Sequence, residues 1–481
     1  MSKNRAGVIS GSVGFASRAL VQLMLFGVTI VATRFLSITD FGVYSLATLF
    51  LILARALYYV GPYEYLLKAP DSPNLLRNCF VANQVLALAC VIVLGGVHFV
   101  SPLLFGGDAV GDLLLLLAPS LFLVAITSWY EGVLLRAVRV RRYYLSTLLG
   151  DMAGAVVAIA LLVQGYGIAS LVLQTYVRLV LLLLLYFRAT PEKPSFVVRL
   201  SDVRAILHWS RARYAAVLLN FTSGYGADLV LGATLTPAAT GLYRASNRIV
   251  STMADLFAQP LQKIAQTNLS ASYRNNDLGQ SWLKMLSGVG TIAWAGLATL
   301  AFLARDLIPL VLGAKWAPTV PVVIAFCAIK CFSMLDAVTT SFLVCHDRQR
   351  DMLHIQIITA VTVMVLAWLT APLGTLGVAL AVGSASIGMS ITYGTMVMRQ
   401  SRAGKDAIFD LLGTSAPPLI AVVIALTGFR LLLPDLHGLP AVAVGTSAAG
   451  VAFCLTSFLY RHRLLAAIGS LGHSPLPQTG K

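Results

Sequence analysis

Long apolar stretches alternate with short polar ones along the whole chain. Each apolar stretch has about 20 residues or more, and about 20 helical residues rise the ~30 Å of a bilayer's hydrocarbon core. Fourteen such stretches predict an all-α polytopic membrane protein with about fourteen transmembrane helices, which we number segments 1 to 14. The segments are 7–36, 41–62, 77–100, 110–135, 144–164, 167–187, 210–235, 240–264, 283–304, 318–345, 352–371, 374–398, 411–433 and 440–460.

The basic residues are concentrated in every second loop between these segments. The loops at 136–142 and 188–209 are rich in arginine and lysine, and their side of the membrane is predicted to be cytoplasmic because positively charged loops stay inside. Both termini are then cytoplasmic, as an even number of spans requires. The apolar stretch that ends at Leu36 is too long for a signal-peptide core, so it is predicted to be a retained first span. The opposite side has only Arg34, Arg305, Lys315 and Arg430, all beside segment ends.

The first six segments resemble the next six. Four short motifs recur in the same order at offsets that drift from 199 to 210 residues. Six spans in each half make the repeats parallel, related by an axis along the membrane normal. We therefore predict two six-helix lobes at 1–190 and 191–400, two further helices at 401–460 and a cytoplasmic tail at 461–481. The motif pairs begin at Leu36 and Leu235, Ser101 and Ile308, Arg139 and Arg348, and Gly167 and Gly377.

The composition agrees with a membrane protein and narrows the choice of partners. The chain is 58% hydrophobic and 11% charged, with a mean hydropathy of +0.82, whereas soluble domains average about 45–50% and 25%. Its net charge of +16 fits cytoplasmic loops that face anionic lipid headgroups, and no nucleic acid is predicted. The six cysteines form neither a disulfide framework nor metal-type pairs, so the sequence predicts no metal and no cofactor.

Six cations lie inside the apolar segments, where each costs about 2.5–3.5 kcal/mol unless it faces protein or water. They predict a cationic cavity, and their excess over the buried acids favours a phosphate-like cargo that arginine binds bidentately. By depth they form two stations, with Arg18 and Arg55 in the inner half and Arg244 and Arg248 in the outer third. The six are Arg18, Arg55, Arg178, Arg244, Arg248 and Lys330.

Polar residues accompany these cations on three segments. Gln22 shares the face of Arg18 on segment 1, and Asp228 on segment 7 reaches the depth of the outer arginines, where an ion pair is predicted. A polar stripe on segment 8 lines either a cavity or a seam between helices, and its Asp255 is the acid best placed to titrate or to bind a coupling cation. The stripe consists of Arg244, Arg248, Ser251, Asp255, Gln259 and Gln262.

Segment 2 ends in a cluster of tyrosines one turn after Arg55. The cluster is either an interfacial aromatic belt or a surface on which sugar rings stack at the cytoplasmic entrance. Arg55 itself either extends its long side chain to the inner membrane surface or faces the cavity. The tyrosines are Tyr58, Tyr59, Tyr63 and Tyr65.

Three motifs resemble those of a known family. The sequence RFLSITDFGVY at 34–44 resembles the helix 1–2 signature of bacterial polysaccharide transporters, TGLYRASNR at 240–248 resembles the start of helix 8, and LGAKW at 312–316 resembles the loop before helix 10. That family comprises O-antigen-type oligosaccharide-lipid flippases of the MOP superfamily, related to lipid II flippases and to MATE multidrug exporters. The resemblance implies a V-shaped pair of lobes that work by alternating access. It also implies cavity arginines on helices 1 and 2, which Arg18 and Arg55 match in placement.

The sequence thus predicts a flippase and not an enzyme. The family implies a cargo of undecaprenyl-diphosphate-linked oligosaccharide, a repeat unit of lipopolysaccharide or exopolysaccharide, moved to the outer leaflet of the bacterial cytoplasmic membrane. Expected partners are this lipid-linked glycan, membrane lipids, an H⁺ or Na⁺ coupling ion, and polysaccharide polymerase or assembly proteins. The alternative is a MATE-like exporter of cationic drugs, which needs an acidic cavity. A membrane glycosyltransferase is disfavoured, since no loop exceeds about 25 residues and no nucleotide-phosphate loop occurs.

Overall fold

The computed structural model describes residues 20–196, 200–274, 278–401 and 406–462, and most side chains at 255–280 and 402–410 lie outside the description. None of the described residues lies in a β-strand. The described α-helices are α1 Leu20–Phe35, α2 Ile38–Val60, α3 Pro62–Lys68, α4 Leu75–Phe105, α5 Ala109–Leu117, α6 Ser120–Arg136, α7 Val140–Val163, α8 Ala169–Ala189, α9 Leu200–Thr234, α10 Pro237–Arg274, α11 Leu278–Leu312, α12 Val320–Ser333, α13 Asp336–Cys345, α14 Gln349–Thr370, α15 Gly374–Ser401, α16 Asp406–Leu432 and α17 Leu439–Leu459.

Each of the fourteen predicted segments coincides with one or two of these helices, which confirms the all-α polytopic membrane architecture. By length and composition, nine of the described helical stretches can cross a membrane, or ten if α5 and α6 form one bent span. One of the nine, Gln349–Ser401, has 53 residues and contains both α14 and α15, which is enough for two crossings. The predicted first span is described only from Leu20 onward.

Three of the predicted segments are broken helices. In segment 2 the break falls at Gly61, and Pro62 begins α3 at the one helical position where its missing N–H costs nothing. A Cβ atom on Gly61 would lie 2.2 Å from the hydroxyl of Tyr214 on α9, so a larger residue here would require the Tyr214 ring to move. Segment 4 consists of α5 and α6, which bend by 42°, and segment 10 of α12 and α13.

The two repeats share details of local backbone geometry. Val138 and Asp347, 209 residues apart, both adopt the left-handed conformation, with φ of 55° and 54°. In each loop the next amide donates a hydrogen bond to the carbonyl five residues earlier, which closes the preceding helix. Gly106 and Gly313, 207 residues apart, end α4 and α11 with φ of 70° and 105°. These matches agree with an internal repeat of the chain.

The described chain divides into two compact units, and the boundary follows Gly241. In the first unit, α9 packs on α2, α3 and α4. The Arg213 Nε atom lies 3.1 Å from a carboxylate oxygen of Glu64, and the Asn78 amide donates to Asp202 at 3.1 Å. The lobe boundaries predicted near residues 190 and 400 divide the sequence repeats, whereas the boundary after Gly241 divides two groups of packed helices. The predicted lobe boundaries stay a prediction.

In the second unit, Asp306 fastens the last two helices to α11. Its carboxylate pairs with Arg430 of α16 and accepts a hydrogen bond from the backbone amide of Gly438, which precedes α17. Asp306 is buried, and a buried carboxylate is stable only when it is paired and hydrogen-bonded. The predicted outer-side Arg430 therefore has a structural partner.

Several arginines of the basic loop at 136–142 close helix ends in the first unit. The Arg136 guanidinium donates to the Ala69 carbonyl at 2.8 Å, just after α3. Arg139 and Arg142 both donate to the Ala189 carbonyl at the end of α8, at 2.9 and 3.0 Å. Cations are favourable at a helix C-terminus, where unpaired carbonyls carry partial negative charge. These residues thus hold helix ends together in addition to their predicted part in topology.

Candidate functional site

Two repeat-equivalent glycines bring the starts of α2 and α10 into backbone contact within the first unit. Helix α2 begins with a capping box, in which Ser37 and Asp40 bond each other's backbone amides. A Cβ atom on Gly42 would lie 1.8 Å from the carbonyl oxygen of Pro237, and one on Gly241 would lie 2.7 Å from that of Ile38. The family-like motifs at 34–44 and 240–248 therefore contain the residues that let the two helices cross. The crossing fixes α2, which carries Arg55.

Arg55 lies within the 31-residue apolar span Ile38–Lys68, and yet its side chain is exposed. Its guanidinium carbon lies 5.4 Å from the centre of the Tyr59 ring, one turn further along α2. Glu131 of α6 and Asp151 of α7 lie within electrostatic range of its charge. Arg55 therefore interacts with charged groups on other helices of the same unit, and its place in the wall of a cavity stays a prediction.

Glu131 lies behind Arg55 and is held by two tyrosines. The Tyr59 hydroxyl donates to one carboxylate oxygen at 2.7 Å, and the Tyr63 hydroxyl donates to the other at 3.2 Å. Tyr59 lies on α2 and Tyr63 on α3, so the helix break at Gly61 brings both phenols to the same carboxylate. Glu131 is only 8% exposed. Two of the tyrosines first assigned to an aromatic belt or a sugar platform thus bind a buried acid.

Arg178 on α8 forms an ion pair with Asp151 on α7. Asp151 is 4% exposed and the Arg178 side chain 22%. Glycines one turn apart on α7 allow this approach, because a Cβ atom on Gly154 would lie 3.1 Å from the Arg178 Cβ and one on Gly150 would lie 2.7 Å from Leu182. Arg178 is therefore paired with an acid, whereas the side chain of Arg55 is exposed.

The first unit thus contains two arginines and two acids in one electrostatic neighbourhood. Arg178 and Asp151 form a direct ion pair. Glu131 interacts electrostatically with Arg55 and accepts a hydrogen bond from the Tyr59 hydroxyl. A cationic cavity in this unit accordingly depends on Arg55 and on Arg18. Arg18 lies outside the described residues, and Gln22, predicted to share its face, is half-buried on α1.

The predicted outer station falls on α9 and α10. Asp228 is fully buried, and its backbone carbonyl accepts a hydrogen bond from the Thr240 hydroxyl at 3.1 Å. Arg244 and Arg248 are half-buried on α10. That helix is continuous from Pro237 to Arg274, so the predicted stripe follows one helical face. The side chains of its members Asp255 and Gln259 lie outside the described residues.

In the second unit, the predicted cavity cation Lys330 lies in the same segment as an acidic residue, Asp336. Lys330 is half-buried on α12, and Asp336 begins α13 after the break. A carboxylate oxygen of Asp336 accepts a hydrogen bond from the Ser390 hydroxyl of α15 at 2.8 Å. Among the described residues, no group of three His, Cys, Asp or Glu side chains is placed to hold a metal ion.

Sequence reasoning missed Glu131. The residue interrupts the apolar run of segment 4 directly after Trp129 and Tyr130, and an acid inside a membrane segment is itself a signal of a functional site. Its partners Tyr59 and Tyr63 lie about 70 positions earlier in the chain, so their contact could not be read from local spacing. The pairing of Arg178 with Asp151 was missed for the same reason.

Comparison with known proteins agrees with this architecture. A family model described as "Polysaccharide biosynthesis protein" matches residues 31–321. A curated relative, the succinoglycan biosynthesis transport protein ExoT of Rhizobium meliloti (strain 1021), is 23% identical over 299 residues. That match covers 61% of this chain, and the chain spans only 60% of the length of the relative.

Two solved structures share the fold. Lipid II flippase MurJ in an inward closed conformation has a TM-score of 0.74 at 16% identity, covering 95% of this chain and 99% of its own. An inward-facing MATE family multidrug resistance transporter of the MOP superfamily has a TM-score of 0.65 at 14% identity, covering 81% and 99%. At these identities the likeness is one of fold, and it confirms the MOP-type architecture that the motifs predict.

Proposed function

Since the chain belongs to the family of polysaccharide biosynthesis proteins, we propose that it is a flippase for a lipid-linked oligosaccharide. Its cargo is an undecaprenyl-diphosphate-linked repeat unit of a surface polysaccharide. The protein moves this cargo from the inner to the outer leaflet of the bacterial cytoplasmic membrane by alternating access, with both termini cytoplasmic. It makes and breaks no covalent bond.

The exposed position of Arg55 inside an apolar span is the observation that carries this proposal. A cation in the hydrocarbon region is retained where it faces a wet, protein-lined space. Three observations support such a position for Arg55: the Tyr59 ring lies beside it, Glu131 and Asp151 lie within electrostatic range, and its side chain is accessible. Its planar guanidinium matches the paired oxygens of a diphosphate, which it binds bidentately.

The other predicted cations divide into different roles. Arg18, predicted to share a helical face with Gln22, joins Arg55 as the station that receives the diphosphate at the inner side. Arg244 and Arg248 form the station nearer the outer side, and the polyprenyl tail remains in the lipid. Arg178 is already paired with Asp151, so it orients α7 and α8 instead of binding cargo.

The alternative function is export of a cationic drug, as in MATE-like transporters. Glu131 and Asp151 are the observations in its favour, because a cationic cargo needs buried acids. Each of them, however, has an arginine within its electrostatic range or in direct contact. An anionic cargo therefore fits the first unit better.

Energy coupling and assembly partners follow from the same proposal. An H⁺ or Na⁺ gradient would drive the cycle, and Asp255 on α10 is the acid that we expect to bind the ion. A polysaccharide polymerase would receive the translocated repeat unit at the outer leaflet.

Charge reversal at the two stations tests the proposed function. We expect Arg18→Glu and Arg248→Glu each to reduce polysaccharide export at least about tenfold, because each removes a charged hydrogen bond worth about 1.5–3 kcal/mol. Export is measured in a host strain that lacks its own copy, with the membrane level of each variant measured by immunoblotting. Arg350→Glu, a change at an exposed position in the first turn of α14, is the matched control and should export normally. Normal export by both station variants would refute the proposed function.

A further inference from the structure

An acidic side chain, Glu131, lies close to Arg55 inside the first unit. Glu131 is buried, lies within electrostatic range of the Arg55 guanidinium, and is fixed by hydrogen bonds from Tyr59 and Tyr63. The Tyr59 ring lies between the two, close to Arg55 through its face and bonded to Glu131 through its hydroxyl. The buried Glu131 carboxylate thus has two phenol donors and one exposed cation within electrostatic range.

Burying the Glu131 carboxylate carries a desolvation cost that its hydrogen bonds and a nearby cation must offset. Two tyrosines on either side of the helix break at Gly61 donate hydrogen bonds to this one carboxylate. The carboxylate lies close enough to attract Arg55, and it repels any anion that Arg55 binds. An anionic cargo and Glu131 therefore compete for the same guanidinium.

We propose that Glu131 is the resident counter-ion of Arg55, a positioning residue that holds the guanidinium when the site is empty and competes with the cargo's diphosphate for it. This inference rests on the proposed function, because it takes Arg55 to bind that diphosphate. Competition limits how tightly the cargo is held, so it speeds release at the other side of the membrane. A flippase needs such a limit, since tight binding of the cargo before and after translocation does not increase turnover.

The direction in which the affinity for the diphosphate changes distinguishes this role of Glu131 from a purely structural one. Glu131→Gln removes the charge at nearly constant shape, so the diphosphate should bind more tightly, by about tenfold, while turnover at saturating cargo falls. Glu131→Asp keeps the charge and should leave the Kd within about twofold of the wild type. A residue needed only for folding would weaken binding in both variants.

The experiment uses the full-length purified protein and undecaprenyl diphosphate as the probe, with the Kd measured at equilibrium and turnover measured in proteoliposomes. Glu64→Gln is the matched control, because Glu64 pairs with Lys68 and Arg213 outside this cluster. In an Arg55→Ala background, the tightening caused by Glu131→Gln should fall below about threefold. Thermal unfolding of each variant reports whether the fold is retained.

The outcomes separate the inference from the function on which it rests. Tighter binding with slower turnover in Glu131→Gln supports the counter-ion if the tightening falls below about threefold in the Arg55→Ala background. Unchanged or weaker binding in Glu131→Gln, together with weakened binding in Arg55→Ala, overturns the counter-ion and leaves the proposed function standing. Unchanged binding in Arg55→Ala overturns both.

Discussion

Replacing Gly42 by alanine is expected to destabilise the protein by more than 3 kcal/mol and to abolish export. The new Cβ atom would lie 1.8 Å from the Pro237 carbonyl oxygen and 2.5 Å from its carbon. Backbone atoms cannot rotate away as a side chain can, so the starts of α2 and α10 must separate. Overpacking of flexible side chains already costs about 1–3 kcal/mol. Thermal unfolding in detergent and polysaccharide export measure the two effects.

Two further glycines provide a graded control for this prediction. Gly241→Ala should be milder, because its Cβ would lie 2.7 Å from the Ile38 carbonyl oxygen. Gly95→Ala on α4 should be neutral or slightly stabilising, since nothing lies within 4 Å of that position and alanine favours a helix by about 1 kcal/mol. If Gly42→Ala unfolds at the same temperature as Gly95→Ala, the helix crossing is not tight.

Arg55→Glu is expected to reduce translocation by at least about a hundredfold. The change removes a charged hydrogen bond to the diphosphate, worth about 1.5–3 kcal/mol, and adds a repulsive charge in its place. The new carboxylate would also lie in range of Glu131 and Asp151. Translocation is measured in proteoliposomes that contain equal amounts of folded wild-type or variant protein.

Arg55→Lys serves as the conservative comparison. Lysine keeps the charge but lacks the planar fork that grips two phosphate oxygens, so its activity should lie between those of the wild type and Arg55→Glu. Arg178→Lys, which keeps a cation beside Asp151, should retain more activity than Arg55→Lys. Wild-type rates in Arg55→Glu would remove Arg55 from the transport path.

The sequence was sufficient to predict the architecture because the membrane restricts it so strongly. Every span must satisfy its own backbone hydrogen bonds, so each apolar segment had to be a helix. The repeats were also predictable, and the matching left-handed residues Val138 and Asp347 bear them out. The break in segment 2 was not predicted, although the Gly61-Pro62 pair is a recognised signal for one.

The candidate site was predictable only in part. Arg55 was identified because a cation in an apolar run is expensive, and this argument needs no knowledge of its neighbours. The partners of the charges depend on packing between distant segments, so neither the Arg178–Asp151 pair nor the tyrosines around Glu131 could be derived from spacing. Because Glu131 was missed, the sequence made the first unit look more cationic than it is.

The most direct measurement is the movement of a fluorescent undecaprenyl-diphosphate-linked oligosaccharide between the leaflets of proteoliposomes that contain the purified protein. We expect wild-type protein to move this lipid, and to leave in place the same oligosaccharide on an uncharged polyprenol, because Arg55 and its neighbours bind the diphosphate. Equal movement of both lipids would contradict recognition of the anion. Failure to move either lipid, with transport of a cationic dye instead, would contradict the flippase and favour the exporter.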